Sequence, residues 1–359
     1  MGDVPLNRAE RLAEADKPTF DAEYGTPLKR SIVSPSDEAA LKACWVDLIN
    51  ALAEAQKEIV AKGPTIIPQI ESGDLDKLSE AQRDEIRKVG SVVVHNIVDD
   101  DLALKWKGML REYIKANPQV DGFPEEDKQF LQMYWAKSQV QARSHPKVIA
   151  VQKALNEFWT RPKDDNLLIS FSTPLTYADR FRIRTARMWD RHPPHIDGAK
   201  IERWADDSLR SCFASVLKGD WRAHDPFVVD GRIRAESNMH KRPGQSSMFR
   251  SWQGWLAMSN TGPGEGTLKV FPNVQWSNAY VVLRPFFRLR SAELDPLLAE
   301  NWDYDPDTAH YPGLKPTKSI QLTEDTHPHL QTETTMTCMP RVLLGDMVFW
   351  HCGACFGSG

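Results

Sequence analysis

Residues 177–204 read YADRFRIRTARMWDRHPPHIDGAKIERW and contain the one residue cluster in this chain that suggests chemistry. At the centre, the tripeptide His-Ile-Asp at 195–197 places an imidazole and a carboxylate two positions apart. Because side chains alternate along an extended backbone, both groups would lie on one face and could bind one metal ion. Residues 181–184 alternate as a half-buried strand does, and Pro193 and Pro194 would interrupt its ladder. We therefore expect the pair at a strand end or loop, at the mouth of the fold.

A His-X-Asp pair supplies two of the three ligands of the 2-His-1-carboxylate facial triad, in which iron keeps positions open for a keto acid and oxygen. The pattern is short and arises often by chance. An isolated copy is therefore more typical of structural or solvated residues than of a metal site. Its interpretation depends on the rest of the chain.

Composition indicates a globular chain with a small-molecule partner. With 359 residues, 41% of them hydrophobic and 26% charged, the chain can bury a sizeable core in one large domain or two. A net charge of −4 provides no field that would attract nucleic acid or an anionic membrane. Twelve Trp residues favour cores and pockets that hold a small substrate. The sequence does not predict an oligomeric state.

The N-terminal segment MGDVPLNRAERLAEADKP lacks the apolar core of a signal peptide, and the chain has no run of 18 apolar residues. The five cysteines are odd in number and mostly isolated, which is typical of a reducing compartment. We therefore expect a cytoplasmic protein. Cys352 and Cys355 form a CxxC, but no second Cys or His pair at a suitable spacing accompanies it, so chance is the favoured interpretation.

The chain divides into three predicted parts. Residues 1–33 are expected to form an irregular arm, and residues 34–90 to form helices packed on the core, beginning at a Ser34 cap. Residues 91–359 form the main domain, with a buried strand at 91–98, a helix at 99–116 and a further helix at 201–218. Later strand candidates lie at 181–185, 254–259, 267–271, 280–283, 319–322 and 346–350. This pattern indicates an α+β chain in which a β-sandwich or jelly roll lies behind an N-terminal helical layer.

From about residue 85 to residue 353 the order of segments resembles a microbial, largely fungal and bacterial, family grouped with the Fe(II)/2-oxoglutarate-dependent oxygenases. The matching segments are the strand Val92–Val98, Trp106-Lys107, Asn117-Pro118, Gly122-Phe123-Pro124, Tyr134-Trp135 through Gln139, Ala142-Arg143-Ser144-His145-Pro146, Tyr177-Ala178-Asp179-Arg180, Pro194-His195-Ile196-Asp197-Gly198, Glu202-Arg203-Trp204, Gln253-Gly254-Trp255-Leu256-Ala257, Thr261-Gly262-Pro263, Glu265-Gly266-Thr267-Leu268, Arg284-Pro285-Phe286-Phe287 and Gly345-Asp346 through His351-Cys352.

This resemblance implies a double-stranded β-helix of the clavaminate synthase-like type, with His195 and Asp197 as iron ligands. The implied reaction is oxidation of a small molecule, by hydroxylation or desaturation, coupled to decarboxylation of 2-oxoglutarate. The implied cofactors are Fe(II) and 2-oxoglutarate. We assign cofactor binding to Arg182, Arg184 and Thr267. The arginines are equally typical of the solvated face of a strand.

Two further residues, Tyr177 and Trp255, are assigned to the substrate pocket. For the tryptophans of this region in general, core packing is the more common role. Neither assignment identifies the substrate.

The chain departs from the family pattern near its end. The resemblance places the distal His ligand eleven residues after Gly345, and Phe356 occupies that position. Phe has no lone pair for iron. His351 is a possible replacement, although an odd offset along a strand points to the opposite face. His192, His240, His327 and His329 have no spacing argument in their favour.

The family also has strand sequence beyond this point, so we expect a C-terminally truncated domain that lacks its last strand and exposes an open sheet edge. Two functions from different classes follow. One is an oxygenase that binds iron through His195 and Asp197. The other is a catalytically inactive homologue that keeps the fold as a binding or scaffold protein.

Overall fold

A computed structural model describes residues 7–15, 17–161, 166, 169–176, 178–183, 193–198, 200–241, 246–316 and 318–358. Over these residues, helices and short strands form a mixed α+β fold with four small sheets, so the predicted α+β class is confirmed. No sheet within the described ranges closes into a barrel. The double-stranded β-helix stays a prediction.

Helices make up most of the N-terminal half, and most of the later helices are only four or five residues long. Their bounds are α1 (Arg8–Ala15), α2 (Ala22–Ile32), α3 (Glu38–Lys62), α4 (Glu80–Val89), α5 (Asp100–Ala116), α6 (Lys137–Arg143), α7 (Pro146–Asn156), α8 (Glu202–Ala205), α9 (Asp207–Ser211), α10 (Ala214–Leu217), α11 (Asp230–Arg234), α12 (Val274–Leu283) and α13 (Thr332–Thr335). In the described part of the chain, no helix combines the length and apolar character needed to cross a bilayer.

The strands are short and come from distant parts of the sequence. They are β1 (Gln69–Glu71), β2 (Ser91–His95), β3 (Gly122–Phe123), β4 (Phe130–Leu131), β5 (Phe181–Arg182), β6 (Trp252–Leu256), β7 (Leu268–Val270), β8 (Phe287–Leu289), β9 (Trp302–Tyr304), β10 (Thr337–Cys338), β11 (Met347–His351) and β12 (Phe356–Ser358). The sheets have the orders β1-β2-β11-β6, β10-β7-β12, β3-β4-β5 and β8-β9.

In the four-stranded sheet, which we call the central sheet, the inner strands β2 and β11 are buried on both faces. Its β1-β2 pair is parallel, and its other two pairs are antiparallel. Val93 and Val348 point into a first core, which also contains side chains of α3 and α12, whereas Val92 and Phe349 point into a second core with α5 and α7. Burial on both faces explains why β2 reads as a continuous apolar run rather than an alternating one.

The sheet β10-β7-β12 shares the first core with the central sheet. Phe356 of β12 is paired with Val270 of β7, and both side chains belong to the first core. On the other side of β12, His195 forms a bridge with Phe356 and a second bridge with Gln321. The segment 193–198 therefore extends this sheet beside the first core.

Of the predicted strands, 267–271 and 346–350 are confirmed as β7 and β11, whereas 319–322 contributes the Gln321 bridge and no strand.

The strand predicted at 280–283 is wrong, because these residues complete helix α12. This helix is buried on nearly every side, so its sequence has no polar stripe with which to display a helical period. A short apolar run cannot be assigned to helix or strand from periodicity alone. The helix predicted at 201–218 is instead three short helices, α8 to α10.

The prediction of an irregular arm at 1–33 is wrong for its described residues, which form α1 and α2. Tertiary contacts explain α2: Lys29 is fully buried, and its Nζ lies 3.1 Å from Thr308 Oγ1. Helix α3 begins at Glu38 rather than at Ser34, whose carbonyl accepts a turn hydrogen bond from Asp37 N. The division of the chain at residues 33 and 90 stays a prediction.

Candidate functional site

His195 is held in an extended segment by hydrogen bonds from its own backbone. Its N–H donates to Phe356 O at 2.9 Å, and its carbonyl accepts from Phe356 N at 2.9 Å. On the opposite side, Leu322 N donates to Pro194 O at 2.7 Å. Gly198 then adopts a left-handed conformation, with φ +70°, in the turn that follows. These contacts fix the direction in which the imidazole points.

The side chains of His195 and Asp197 face each other. His195 Nε2 lies 3.5 Å from Asp197 Oδ1, and the two side chains are 22% and 33% exposed. His195 Nδ1 lies 2.9 Å from Pro193 O, an acceptor, so Nδ1 carries a proton and donates it. In the neutral ring, Nε2 is then the nitrogen with the lone pair, which is the arrangement of a metal-binding histidine.

Asp197 is oriented by the central sheet. Gln253 of β6 donates from Nε2 to Asp197 Oδ2 at 2.7 Å. This bond fixes one carboxylate oxygen and leaves Oδ1 directed at the imidazole. Two donor atoms suited to a divalent metal therefore converge at a partly exposed position.

Phe356 lies where the sequence pattern would have a third ligand. Its ring centroid is 4.3 Å from that of His195 and 5.2 Å from that of Trp350. The Phe356 side chain is 9% exposed and belongs to the first core. Among the described residues, no group of three or more His, Cys, Asp or Glu side chains could hold a metal ion. At position 356 the pair therefore has hydrocarbon beside it rather than a donor atom.

A row of polar side chains crosses the central sheet beside this pair. Ser91 of β2 is paired with Trp350 of β11, which is paired with Gln253 of β6, so all three side chains lie on the first-core face. Ser91 Oγ, Trp350 Nε1 and Gln253 Oε1 are buried and have no hydrogen-bond partner in the described part of the molecule. Thr267 Oγ1, just before β7, shares this property. Buried polar atoms without partners cost free energy, so they mark positions that a polar ligand or water would satisfy.

His351, the possible replacement ligand, lies on the other face of the central sheet. Its Nε2 donates to Pro226 O at 3.1 Å, and its Nδ1 accepts from Gly353 N at 2.9 Å. The ring is fully buried and stacks on Trp159 at 4.7 Å between centroids. Burial lowers the pKa of His351 well below its ordinary value, so the ring is neutral. Because both nitrogens are bonded, the replacement hypothesis is wrong.

Two of the other histidines considered from the sequence lie in a separate buried cluster. His327 and His329 are buried beside Tyr280, whose hydroxyl lies 3.0 Å from His329 Nδ1. Burial lowers the pKa of His329 to about 3. His240 is exposed, and His192 lies outside the described residues.

The remaining predicted site residues have different positions. Trp255 is half-buried on β6, two residues from Gln253 and on the same face, next to the first core. Arg182 is exposed on β5, in the separate sheet β3-β4-β5, with Cζ 4.4 Å from the Phe130 ring centroid. The structure does not bring Arg182 to the pair, and its cofactor-binding role stays a prediction. Tyr177 and Arg184 lie outside the described residues.

Sequence reasoning missed Gln253, Ser91 and Trp350 as members of the site. Each belongs to a strand that was predicted or nearly so, but cross-strand register decides their contacts, and a single sequence does not display register. The only available signal was the polar Gln253 within an otherwise apolar strand segment.

A surface cleft of about 530 Å³ lies elsewhere, between the end of α2 and helices α9 and α10. It is lined in part by Arg30, Val33, Asp207, Arg210 and Lys218. Neither His195 nor Asp197 belongs to it, so the cleft is separate from the pair.

The chain is similar in sequence and in fold to several known proteins. The chain is 26% identical over 328 residues to the uncharacterized protein YbiU of Escherichia coli (strain K12), an alignment that covers 85% of this chain and 71% of YbiU. Among solved structures, it is similar to GlcNAc Inducible Gene 2, GIG2 (DUF1479), from Candida albicans, with a TM-score of 0.85 and 31% identity over 96% of this chain and 74% of that one. A protein named "putative oxidoreductase" from Salmonella typhimurium LT2 has a TM-score of 0.76 and 25% identity over 96% of this chain and 83% of its own.

The Gig2-like family model matches residues 21–357, a range that includes helices α2 to α13, the central sheet and the His195–Asp197 pair. On this match, the chain belongs to the Gig2-like family.

Proposed function

We propose that this chain carries an oxidoreductase-type pocket in which His195 and Asp197 bind Fe(II), with 2-oxoglutarate as cosubstrate and a small molecule as substrate. The observation that carries the proposal is the geometry of the pair. Nδ1 of the imidazole is held by Pro193 O, and Nε2 faces a carboxylate whose other oxygen is held by Gln253. One solved relative named a "putative oxidoreductase" is consistent with this class.

The residues present fit part of the metal's requirement. His195 Nε2 and Asp197 Oδ1 would hold the ion, and Gln253 would keep the carboxylate in place. Iron with a bound keto acid would supply the oxidising chemistry. The unpartnered atoms Ser91 Oγ, Trp350 Nε1 and Thr267 Oγ1 would hydrogen-bond polar groups of small molecules in the pocket.

A second candidate function is ligand binding without turnover. Phe356 favours it, because its ring lies 4.3 Å from His195 and provides no donor atom. Two protein ligands hold a divalent ion less tightly and less selectively than three, since selectivity rests on ligand type and geometry. In this case the protein would bind a small molecule or metal weakly and release no succinate.

The first experiment measures binding by the unmodified chain. Calorimetry with Mn(II) and anaerobic Fe(II), each with and without 2-oxoglutarate, is expected to detect metal binding that His195→Ala and Asp197→Asn both remove. His240→Ala, at an exposed histidine, is the matched control and should bind as the parent does. Equal affinity in the parent and in both site variants would contradict the proposal.

The second experiment separates the two candidate functions by supplying the third donor. Phe356→His places an imidazole directly across from His195, and we expect about 100-fold tighter Fe(II) binding, because ligand number and geometry dominate affinity. Phe123→His, at a half-exposed phenylalanine, is the control. Succinate formation from 2-oxoglutarate by the parent supports the oxygenase, whereas succinate formation by Phe356→His alone supports binding without turnover.

A further inference from the structure

Two arginines are buried in the interior near α8 and α11. Arg203 is 4% exposed, and its Nη1 donates to Asn278 Oδ1 at 2.8 Å. Arg232 is 7% exposed, and its Nη2 donates to Pro226 O at 3.1 Å. Arginine is rarely buried without a paired carboxylate, because transfer of the charge out of water is costly.

These arginines and His224 surround one aromatic ring. The centroid of Phe213 lies 4.8 Å from Arg203 Cζ, 5.8 Å from Arg232 Cζ and 5.4 Å from the centroid of the His224 ring. His224 is 2% exposed. Three nitrogen-bearing side chains therefore surround one buried ring, and we call this group the arginine cluster.

Each arginine of the cluster has an N–H donor without an acceptor. Arg203 Nε and Arg232 Nε are buried and have no hydrogen-bond partner within the described ranges, whereas the His224 ring interacts with the backbone of Cys212. Both Nε atoms are N–H donors. Unsatisfied buried donors on two guanidiniums beside one ring indicate a missing acceptor rather than two separate defects.

The cluster also lacks a compensating negative charge. Neither guanidinium forms an ion pair with a carboxylate of the described residues within 4.0 Å. Asp225, the acid that affects His224, is bonded to Arg87 at 2.8 Å. Its charge is therefore already paired outside the cluster.

The nearby thiols do not supply the charge either. Cys352 Sγ lies 3.9 Å from Arg232 Nη1, and Cys212 is close enough to both arginines to affect its titration. Burial raises the pKa of both Cys212 and Cys352, so both are neutral thiols at neutral pH. Burial and the neighbouring Arg232 lower the pKa of Arg203 to about 9, which still leaves that guanidinium charged at pH 7. Among the described residues, the cluster thus holds two positive charges and no negative one.

We infer that the arginine cluster is a buried binding site for a small monoanion, a halide or a small carboxylate such as formate, that accepts N–H bonds from Arg203 and Arg232. The inference stands independently of the proposed iron site, since the two share no residue. Charge-assisted hydrogen bonds from a guanidinium to an anion are stronger than hydrogen bonds between neutral groups. The Phe213 ring contacts both guanidiniums through cation–π interactions and occupies none of their N–H donors.

The probe is bromide. Crystals of the full chain soaked in sodium bromide are expected to give an anomalous peak within hydrogen-bond distance of Arg203 Nε or Arg232 Nε. In solution, sodium bromide should raise Tm in a saturable way relative to sodium gluconate at equal ionic strength, since gluconate is too large for an enclosed site. Loss of the anomalous peak when formate is added assigns small carboxylates as well, and persistence of the peak restricts the site to halides.

The variants Arg203→Met and Arg232→Met keep side-chain length and remove the charge. Each is expected to lose the bromide-dependent rise in Tm, whereas Arg290→Met, at a half-exposed arginine paired with Asp303, should keep it. If either buried variant fails to fold, the anomalous map and the bromide titration of the parent still decide the question. The absence of a peak at the cluster, together with equal Tm values in bromide and gluconate, would overturn the inference.

Discussion

His195 and His351 lie on opposite sides of the central sheet, and they differ in what their ring nitrogens contact. His351 is fully buried, and both of its nitrogens are bonded to backbone groups, Pro226 O and Gly353 N. His195 is partly exposed, with Nδ1 bonded to a backbone carbonyl and Nε2 directed at a carboxylate. The comparison teaches that the number of histidines near a strand end says little about ligand chemistry. The decisive feature is which nitrogen the backbone has already engaged.

The same contrast extends to the two faces of β11. Phe349 and Met347 fill the second core, whereas Trp350 lies on the first-core face with a buried indole N–H that has no partner among the described residues. The second-core face near Phe349 therefore contributes stability, and the first-core face near Trp350 carries polar groups beside the His195–Asp197 pair. Variants on the two faces should separate these contributions.

The largest expected effect concerns stability and lies on the second-core face. Phe349→Ala removes a side chain that is 3% exposed, and we expect the free energy of unfolding to fall by about 3–5 kcal/mol, because a cavity remains. Urea unfolding measures the change. Phe123→Ala, at a half-exposed ring, should change stability by about 0.5 kcal/mol or less. Metal affinity of the folded Phe349→Ala protein should equal that of the parent, and a loss of affinity would break the distinction between the faces.

The next effect is a pH dependence that His351 imposes. Its pKa is held well below the ordinary value in the folded state, so the unfolded chain takes up a proton below about pH 6.5 that the folded chain does not. The stability that the neutral buried ring contributes is therefore fully present above about pH 6.5. As the pH falls below that value, the free energy of unfolding decreases by about 1.4 kcal/mol per pH unit for each such histidine. His224, His310 and His329, whose pKa values burial lowers to about 3, add to the same slope.

Replacement of His351 tests this account. His351→Gln retains one acceptor and one donor, and urea unfolding between pH 5 and pH 8 should give a slope that is smaller by about one proton. The exposed histidine variant His240→Gln should keep the parent slope. An unchanged slope in His351→Gln would mean that the ring takes up a proton within the folded protein.

Much of the first half of the fold could be predicted from local sequence signals. Helix α5 follows its acidic start and amphipathic period closely, and α4 ends at Gly90 in the left-handed conformation expected of a helix end. The segment at 280–283 could not be assigned in this way, because complete burial removes the polar stripe from α12. Helix α2 depends on contacts with residues almost 300 positions away, such as that between Lys29 and Thr308.

In the candidate site, too, local sequence spacing predicted some contacts, and tertiary structure determines the others. His195 and Asp197 are two residues apart, so their spacing alone predicted that they would share a face, and their side chains do meet. Phe356 lies beside His195 through a strand pairing that no local signal predicts. Gln253, Trp350 and Ser91 depend on the register of three strands that are far apart in sequence. Register is a tertiary property, and one sequence does not specify it.

The smallest expected effect tests whether Gln253 positions the pair. Gln253→Leu removes the bond to Asp197 Oδ2 and also removes a buried carbonyl that has no partner, so stability should change by about 1 kcal/mol or less. Metal affinity should fall about 10-fold, because a ligand's orienting hydrogen bond contributes that much to binding. Gln275→Leu is the matched control, since Gln275 is also half-buried but donates to the backbone carbonyls of Arg222 and His224. Calorimetry with Mn(II) measures both variants. If Gln253→Leu and Gln275→Leu bind the metal equally well, the polar row of the central sheet serves the substrate pocket or the core, and Asp197 is positioned by its own turn.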